Sequence, residues 1–151
     1  KAVSNEQSHK LEIVKQIAQQ FPENKTVMLA IAMEESGLNP QAVNYNCRYK
    51  LGGSTYDKLT GSYIDTSNII KEKKAGYVST WCRSGHEKFA WSKDGGILQI
   101  HNPTAKEMTV HGNLAKAKVK YETQGLTAWT AYSTGRYKKH IKDAQNLLAM
   151  I

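Results

Sequence analysis

The stretch TVMLAIAMEESGLNP, residues 26–40, combines an apolar run with two carboxylates and a stop signal. Apolar residues recur there at intervals of three and four positions, which predicts a helix, and Gly37 predicts where the helix ends. Glu34 and Glu35 therefore fall in the last helical turn. The periodicity does not choose between them, because the stretch is apolar on nearly every side.

A carboxylate in this position has a possible chemical role. Beside apolar neighbours a carboxyl group resists ionisation, so it can keep a proton near neutral pH and give it to a leaving group. Glycosidic bonds are cleaved by such an acid. The alternative interpretation of Glu35 is a charged end on a core helix, with no chemistry attached.

Two further segments have features typical of a sugar-binding surface. KDGGILQIHNPTA, residues 93–105, has a glycine pair followed by an apolar–Gln–apolar pattern, which is typical of a short strand or turn that points the amide of Gln99 into a cleft. WTAYSTGRY, residues 129–137, places aromatic rings and hydroxyls around a glycine helix stop, as sugar-stacking surfaces do. Each segment alone could equally belong to a protein core.

In this order, the three segments resemble the catalytic domain of the soluble lytic transglycosylases, within the lysozyme-like superfamily. That family has a helix ending in ESG with a proline soon after, then G-L-M-Q-I leading to a T-A helix start, then Y-N-A-G. This chain has ESGLNP, GILQIHNPTA and YSTG, with Leu98 in place of Met and Ser133-Thr134 in place of Asn-Ala. The second segment is most similar to that of muramidases that accompany phage particles and secretion machines. The resemblance covers residues 11–46 and 91–148.

The resemblance implies a fold. We expect a mainly α, lysozyme-like (α+β) architecture, in which a helical lobe surrounds a central catalytic helix and a small β-containing lobe is inserted. Residues 1–151 would form one domain, with the insertion at about residues 45–92. The Gly-, Ser- and Tyr-rich composition of that insertion predicts a small ribbon, with one extra short helix at residues 67–74.

The resemblance also implies a reaction, cleavage of the β-1,4 bond between N-acetylmuramic acid and N-acetylglucosamine in peptidoglycan. Glu35 would act first as general acid and then as base, so that the muramyl carbon-6 hydroxyl closes a 1,6-anhydro ring. Gln99, Tyr132, Ser36 and the backbone around Leu98 are the expected substrate-binding groups. Capping of the helix end is the alternative role for Ser36, and a buried, satisfied hydroxyl is the alternative for Tyr132.

Asp94 leaves the outcome of the reaction open. A second carboxylate at about 6.5 to 9.5 Å from Glu35 would position a water molecule and give a hydrolytic lysozyme. Beside two glycines, Asp94 is equally an ordinary turn residue. Two other classes compete: a non-catalytic wall-binding module, and a cysteine-dependent peptidase that cuts the peptide stems. Neither of these two classes explains the GILQI and YSTG segments.

The charge and hydropathy of the chain limit the classes of binding partner that we expect. A net charge of +8 favours anionic polymers such as those of the bacterial wall. The basic residues are scattered, and no recognisable nucleic-acid-binding module surrounds them, so no nucleic-acid partner is expected. The longest apolar run, residues 27–33, is too short to cross a bilayer. We expect a monomer that acts in the periplasm, outside the cell or on a virion, alone or within a phage particle or secretion complex.

The remaining reactive residues give weaker signals. Cys47 and Cys82 could form one disulfide across the insertion or remain two buried thiols. Five dispersed histidines, without a CxxC or HExxH motif, predict neither a metal site nor a cofactor. Trp81 and Trp91 lie in the insertion, where they would anchor it or line a groove.

Overall fold

The computed structural model describes residues 4–151 and separates them into two structural units. The first unit comprises residues 4–42 together with Gly95–Ile151, and the second comprises Val43–Asp94. The three segments that carry the family resemblance have their distinguishing motifs in the first unit. The second unit includes the whole segment predicted as an insertion.

The first unit is helical, with a short strand. Between its helices the chain makes 3₁₀ turns, among them Pro22–Asn24 and Arg136–His140. Its α-helices are α1 (Asn5–Gln20), α2 (Lys25–Ser36), α3 (Val110–Gln124), α4 (Thr130–Ser133) and α5 (Ile141–Leu148).

Local signals in the sequence set the ends of α1 and α2. Ser4 caps α1, since its hydroxyl accepts a hydrogen bond from the backbone N–H of Gln7 at 3.1 Å. Gly37 ends α2 in the left-handed conformation, with a φ of 61°, which glycine adopts without the steric cost that a Cβ would bring. The helix end predicted at Gly37 is confirmed.

Helix α2 lies in the middle of the core. Five consecutive residues of α2, from Met28 to Ala32, have no exposed surface. Helix α1 contributes Val14 and Ile17 to the same core, and the indole of Trp129 closes it from the other side. A helix buried on all sides is stabilised mainly by packing, and its own amphipathic character is weak.

The second unit is built around one long strand. Strand β1 (Val43–Asp57) pairs antiparallel with β2 (Ser62–Ile70) and with β3 (Tyr77–Trp81). The β1–β2 register shifts between Leu51 and Thr55, and Gly53 lies within this shift. The close approach of the two strands requires glycine there, since a Cβ at Gly53 would lie 2.1 Å from the carbonyl oxygen of Ile64. The remaining strands of the chain are β4 (Ser92–Gly95) and β5 (Ile100–His101).

The second unit has its own small core. Cys47, Tyr49 and Ile64 are fully buried there. Cys47 forms a disulfide with Cys82, so the structure contains the bridge that the sequence left open. Since the two cysteines are 35 residues apart, the bridge closes most of the unit into one loop.

The prediction of a mainly helical, lysozyme-like fold is wrong. The structure is α+β, with 49% helix and a five-stranded antiparallel sheet. The error arose in the insertion, where strand-forming residues were expected to give only a small ribbon. Alternating buried residues such as Cys47 and Tyr49 instead support a 15-residue strand. The short helix predicted at residues 67–74 is also wrong, because β2 continues to Ile70.

The described part of the chain contains neither a membrane-spanning helix nor a metal-binding cluster. Among residues 4–151, no helix is both long and apolar enough to cross a membrane. Over the same range, no group of three or more His, Cys, Asp or Glu side chains is arranged to hold a metal ion.

Replacement of both Cys47 and Cys82 by alanine tests the role of the bridge. The double variant should lose about 4 kcal/mol of stability, because a crosslink across 35 residues restricts the unfolded chain. Hydrogen exchange should become faster at β1–β3 amides and stay unchanged in α2, since the bridge lies wholly within the second unit. Unchanged exchange in β1–β3 would contradict this role.

Candidate functional site

Hydrogen bonds join the three motif segments within the first unit. The hydroxyl of Ser36, at the end of α2, donates to the carbonyl oxygen of Ile97 at 2.8 Å. The indole N–H of Trp129, in the third segment, donates to the carbonyl oxygen of Leu98 at 3.0 Å. Ser36 and Trp129 thus contact adjacent residues of the second segment, although 61 and 31 positions of sequence separate the bonded pairs. The candidate site is built where these segments meet.

The second segment forms a tight loop. Gly96 has a φ of 84°, and a Cβ there would lie 2.1 Å from the side-chain nitrogen of Asn113. The N–H of Gly96 donates to the carbonyl oxygen of Ala42 at 2.8 Å. Gln99 also has a positive φ, 50°, which is uncommon for a residue with a side chain. This loop therefore depends on glycine and on fixed polar partners.

Asn113 holds the loop from α3. Its side-chain oxygen accepts the N–H of Leu98 at 2.8 Å, and its side-chain nitrogen donates to the carbonyl oxygens of Gly95 at 2.9 Å and Glu107 at 2.8 Å. Asn113 is fully buried. Asn113 lies in the first turn of α3, whose N-cap is Thr109. In the sequence, the signal for this role was an asparagine on the same helix face as the apolar residues Leu114 and Ala117.

Glu34 lies in a basic cluster made of Arg136, Lys139 and His140. One carboxylate oxygen is 3.0 Å from the His140 ring nitrogen and 3.1 Å from the Lys139 ammonium, and the other is 3.3 Å from the Arg136 guanidinium. Burial acts to raise the pKa of Glu34, but hydrogen bonds and charge attraction from His140 and Lys139 outweigh it, so the pKa is lowered. Glu34 is therefore ionised near neutral pH.

The Glu35 side chain points in a different direction from that of Glu34, although both lie on the last turn of α2. Successive residues of an α-helix are rotated by about 100°, so Glu35 points away from the line that carries Glu34 into the basic cluster. Glu35 is half-buried. The tertiary structure thus assigns Glu34 to an ion-paired cluster, which makes it unsuited to act as a proton donor at neutral pH.

Ser36 serves the structure of the helix end. Besides the bond to Ile97, its oxygen lies 3.1 Å from the carbonyl oxygen of Ala32 and accepts the N–H of Leu38 at 3.2 Å. The hydroxyl is therefore occupied within the protein, which matches the capping alternative and leaves substrate binding by Ser36 without support.

Leu98 and Gln99 are also turned into the protein. The N–H and the carbonyl oxygen of Leu98 both have hydrogen-bond partners, and its side chain is fully buried. The side-chain nitrogen of Gln99 donates to the carbonyl oxygens of Gly96 at 2.9 Å and Ala42 at 3.1 Å, with only 8% of the residue exposed. Neither residue presents these groups to a ligand in this conformation.

Tyr132 and Asp94 lie in different units. The ring of Tyr132, in the first unit, stacks on that of Tyr137, with centroids 5.3 Å apart and planes inclined by 23°. Substrate binding by Tyr132 stays a prediction. Asp94 accepts a hydrogen bond from the side-chain nitrogen of Asn46 at 3.2 Å, within the second unit.

Comparison with known proteins finds no family model, curated protein or solved structure that matches this chain. The chemistry of the site is therefore inferred from its own residues.

A Glu34→Gln variant removes the ion pairs of the basic cluster, so the free energy of unfolding at pH 7 should fall by about 1–2 kcal/mol. The loss is no larger because Lys139 is largely exposed, and solvent weakens its attraction to Glu34. The depressed pKa means that the contribution of Glu34 is complete above its ordinary value of 4.5 and is lost as the pH falls through the folded value. The two proteins should therefore converge in stability at low pH. Urea denaturation at pH 7 and pH 3 measures this difference.

The matched control for Glu34→Gln is Glu12→Gln, which removes one partner of an exposed ion pair with Lys15. That change should alter stability by less than about 0.5 kcal/mol at either pH. Equal effects of the two substitutions at pH 7 would contradict the assignment of Glu34 to a stabilising cluster.

An Asn113→Ala variant should be destabilised by about 3 kcal/mol, because it removes the Asn113 partner from two buried backbone groups and from one partly buried carbonyl. Exchange of the Leu98 amide hydrogen should accelerate more than exchange in α1. Asn146→Ala, at an exposed position of α5, is the control and should stay within about 0.5 kcal/mol of the parent protein. A thermal melt of Asn113→Ala that matches the control would exclude the proposed support of the loop.

Proposed function

We propose that this chain cleaves the β-1,4 bond between N-acetylmuramic acid and N-acetylglucosamine in peptidoglycan, with Glu35 as the acid–base catalyst. The observation that carries the proposal is the basic cluster around Glu34, which holds one of the two carboxylates at the end of α2 as an anion. Glu35 is the other carboxylate of this turn. It is half-buried and directly precedes Ser36, whose hydroxyl binds the second motif segment.

The substrate class follows from the resemblance of these segments to those of the lytic transglycosylases. The β content of the second unit does not alter the segments themselves, since ESGLNP, GILQIHNPTA and YSTG all lie in the first unit. The net charge of +8 supports an anionic polymer as substrate, because long-range attraction concentrates the enzyme on it.

The proposed reaction needs one carboxyl group. Protonated Glu35 donates its proton to the glycosidic oxygen as the bond to the muramyl anomeric carbon breaks. The resulting carboxylate then takes the proton of the muramyl carbon-6 hydroxyl, whose oxygen bonds to the anomeric carbon. Glu35 is protonated again, no water is consumed, and the product ends in a 1,6-anhydro ring.

The disulfide supports a location for this activity. Structural disulfides persist in oxidising compartments, so the Cys47–Cys82 bridge supports the proposal that the protein acts in the periplasm, outside the cell or on a virion. Peptidoglycan is accessible from each of these locations. Association with a phage particle or secretion complex is compatible with the same chemistry.

A Glu35→Gln variant tests the catalytic role. It preserves the shape of the side chain and removes the proton donor, so release of soluble fragments from purified peptidoglycan should fall by about 10²- to 10⁴-fold. Glu34→Gln, on the neighbouring residue, should keep most of the activity at pH 7. Near-parental clearing by Glu35→Gln would refute the assignment.

Mass spectrometry of the fragments separates the two possible outcomes. Ring closure gives fragments that are lighter by one water than those from hydrolysis. Reducing ends in place of anhydro ends would show a hydrolase and would require a second group, such as Asp94, to position water. Binding to the wall without any fragments would show a non-catalytic module.

A further inference from the structure

A hollow of about 250 Å³ lies in the second unit, and its lining includes none of the residues to which catalysis is assigned. Its wall includes two exposed aromatic residues, Trp81, with 53% of its surface exposed, and Tyr45, with 37%. The complete lining consists of Val43, Asn44, Tyr45, Trp81, Cys82 and Glu87.

The backbone that carries these rings is firmly held. Trp81 lies opposite Asn46 in the β1–β3 ladder, and the N–H of Cys82 donates to the carbonyl oxygen of Tyr45 at 2.9 Å. The disulfide between Cys47 and Cys82 adds a covalent link at the same end of this ladder. The indole is thus presented on a fixed frame, which lowers the entropic cost of binding a ligand against it.

The lining of the hollow also includes a carboxylate, Glu87. Glu87 is exposed on the 3₁₀ turn Glu87–Phe89, and its contact with the N–H of Gly85 is long, at 3.4 Å. A carboxylate can accept about four hydrogen bonds, so Glu87 keeps capacity for ligand hydroxyls. A hollow lined by an exposed ring and a carboxylate suits a sugar, because a pyranose has an apolar face of C–H groups and an edge of hydroxyl donors.

We propose that this hollow binds a single pyranose ring of a glycan strand, stacked on Trp81 and donating hydroxyl hydrogen bonds to Glu87. The identity of the polymer as peptidoglycan rests on the proposed function, while the affinity of the hollow for a sugar does not. The second unit then retains the polymer that the first unit cleaves, and two binding sites on one chain raise the effective concentration of substrate.

Nuclear magnetic resonance of the full chain tests this site. The Glu35→Gln protein prevents cleavage, and its three tryptophans give separate indole N–H signals, of which the Trp81 signal is identified by its loss in Trp81→Phe. A tetramer of N-acetylglucosamine is the probe. The Trp81 signal should shift in a saturable manner, while the signal of Trp129, which is 2% exposed, should not.

Variants then assign the contacts. Adding Glu87→Gln should raise the tetramer concentration needed for half-saturation about tenfold, because a hydrogen bond to a charged group is lost. Adding Trp81→Ala should weaken binding measured by calorimetry about tenfold, and Trp81→Phe should restore most of it. Tyr63→Ala is the matched control, since it removes another exposed ring of the same unit that does not line the hollow.

Three results would overturn the proposal. They are a Trp81 signal that the tetramer does not shift, equal effects of Glu87→Gln and Tyr63→Ala, and a response to a lysine-containing stem peptide in place of the sugar. Near-ultraviolet circular dichroism checks that each variant is folded.

The sugar site and the catalytic assignment can fail separately. If Glu35→Gln still released wall fragments while the tetramer shifted the Trp81 signal, the catalytic assignment would fail and the sugar site would stand. If the tetramer left the Trp81 signal unchanged while fragment release depended on Glu35, the sugar site would fail and the catalytic assignment would stand.

Discussion

Burial of the middle of α2 on every side is the constraint on which the first unit depends. The residues from Met28 to Ala32 have no exposed surface, so every neighbouring element must supply an apolar side to cover them. Polar groups at the end of such a helix cannot reach bulk water freely and need partners inside the protein. Ser36 meets this need by bonding Ile97, and Gly37 turns the chain away. The site forms where the buried helix ends because polar groups and core meet there.

The same constraint explains the environment of Glu34. The Glu34 side chain is only 17% exposed, and its charge is stable because Arg136, Lys139 and His140 surround it. Glu35, one position later, faces another direction on the helix. The cluster around Glu34 also fixes the turn that follows α4 against the end of α2.

The second unit is stabilised in a different way from the first. It has a small core around Tyr49 and Ile64, which a single disulfide supplements. Small units bury little apolar area, so a covalent crosslink contributes a large share of their stability. Because the ladder and the bridge fix the backbone, exposed rings such as Trp81 can be displayed without loss of the fold. This combination suits a surface whose purpose is binding.

Features that depend on a few neighbouring residues were determined by the sequence by itself. The span of α2, its stop at Gly37 and the cap at Ser4 follow from side-chain periodicity and backbone sterics, which act within one or two turns. Local patterns could not identify Glu34 as the ion-paired carboxylate, because its partners Arg136 and His140 lie 102 and 106 residues away in the sequence.

Tertiary structure alone also decided which polar groups of the motifs are used internally. Gln99 and Ser36 look like ligand-binding residues in the sequence, yet both satisfy buried backbone groups. The extent of β1 was missed for a related reason, since strand pairing is a contact between distant segments and its strength depends on the partner. Local sterics are written in adjacent residues, whereas charge pairing, buried hydrogen bonds and strand pairing exist only once the chain has folded.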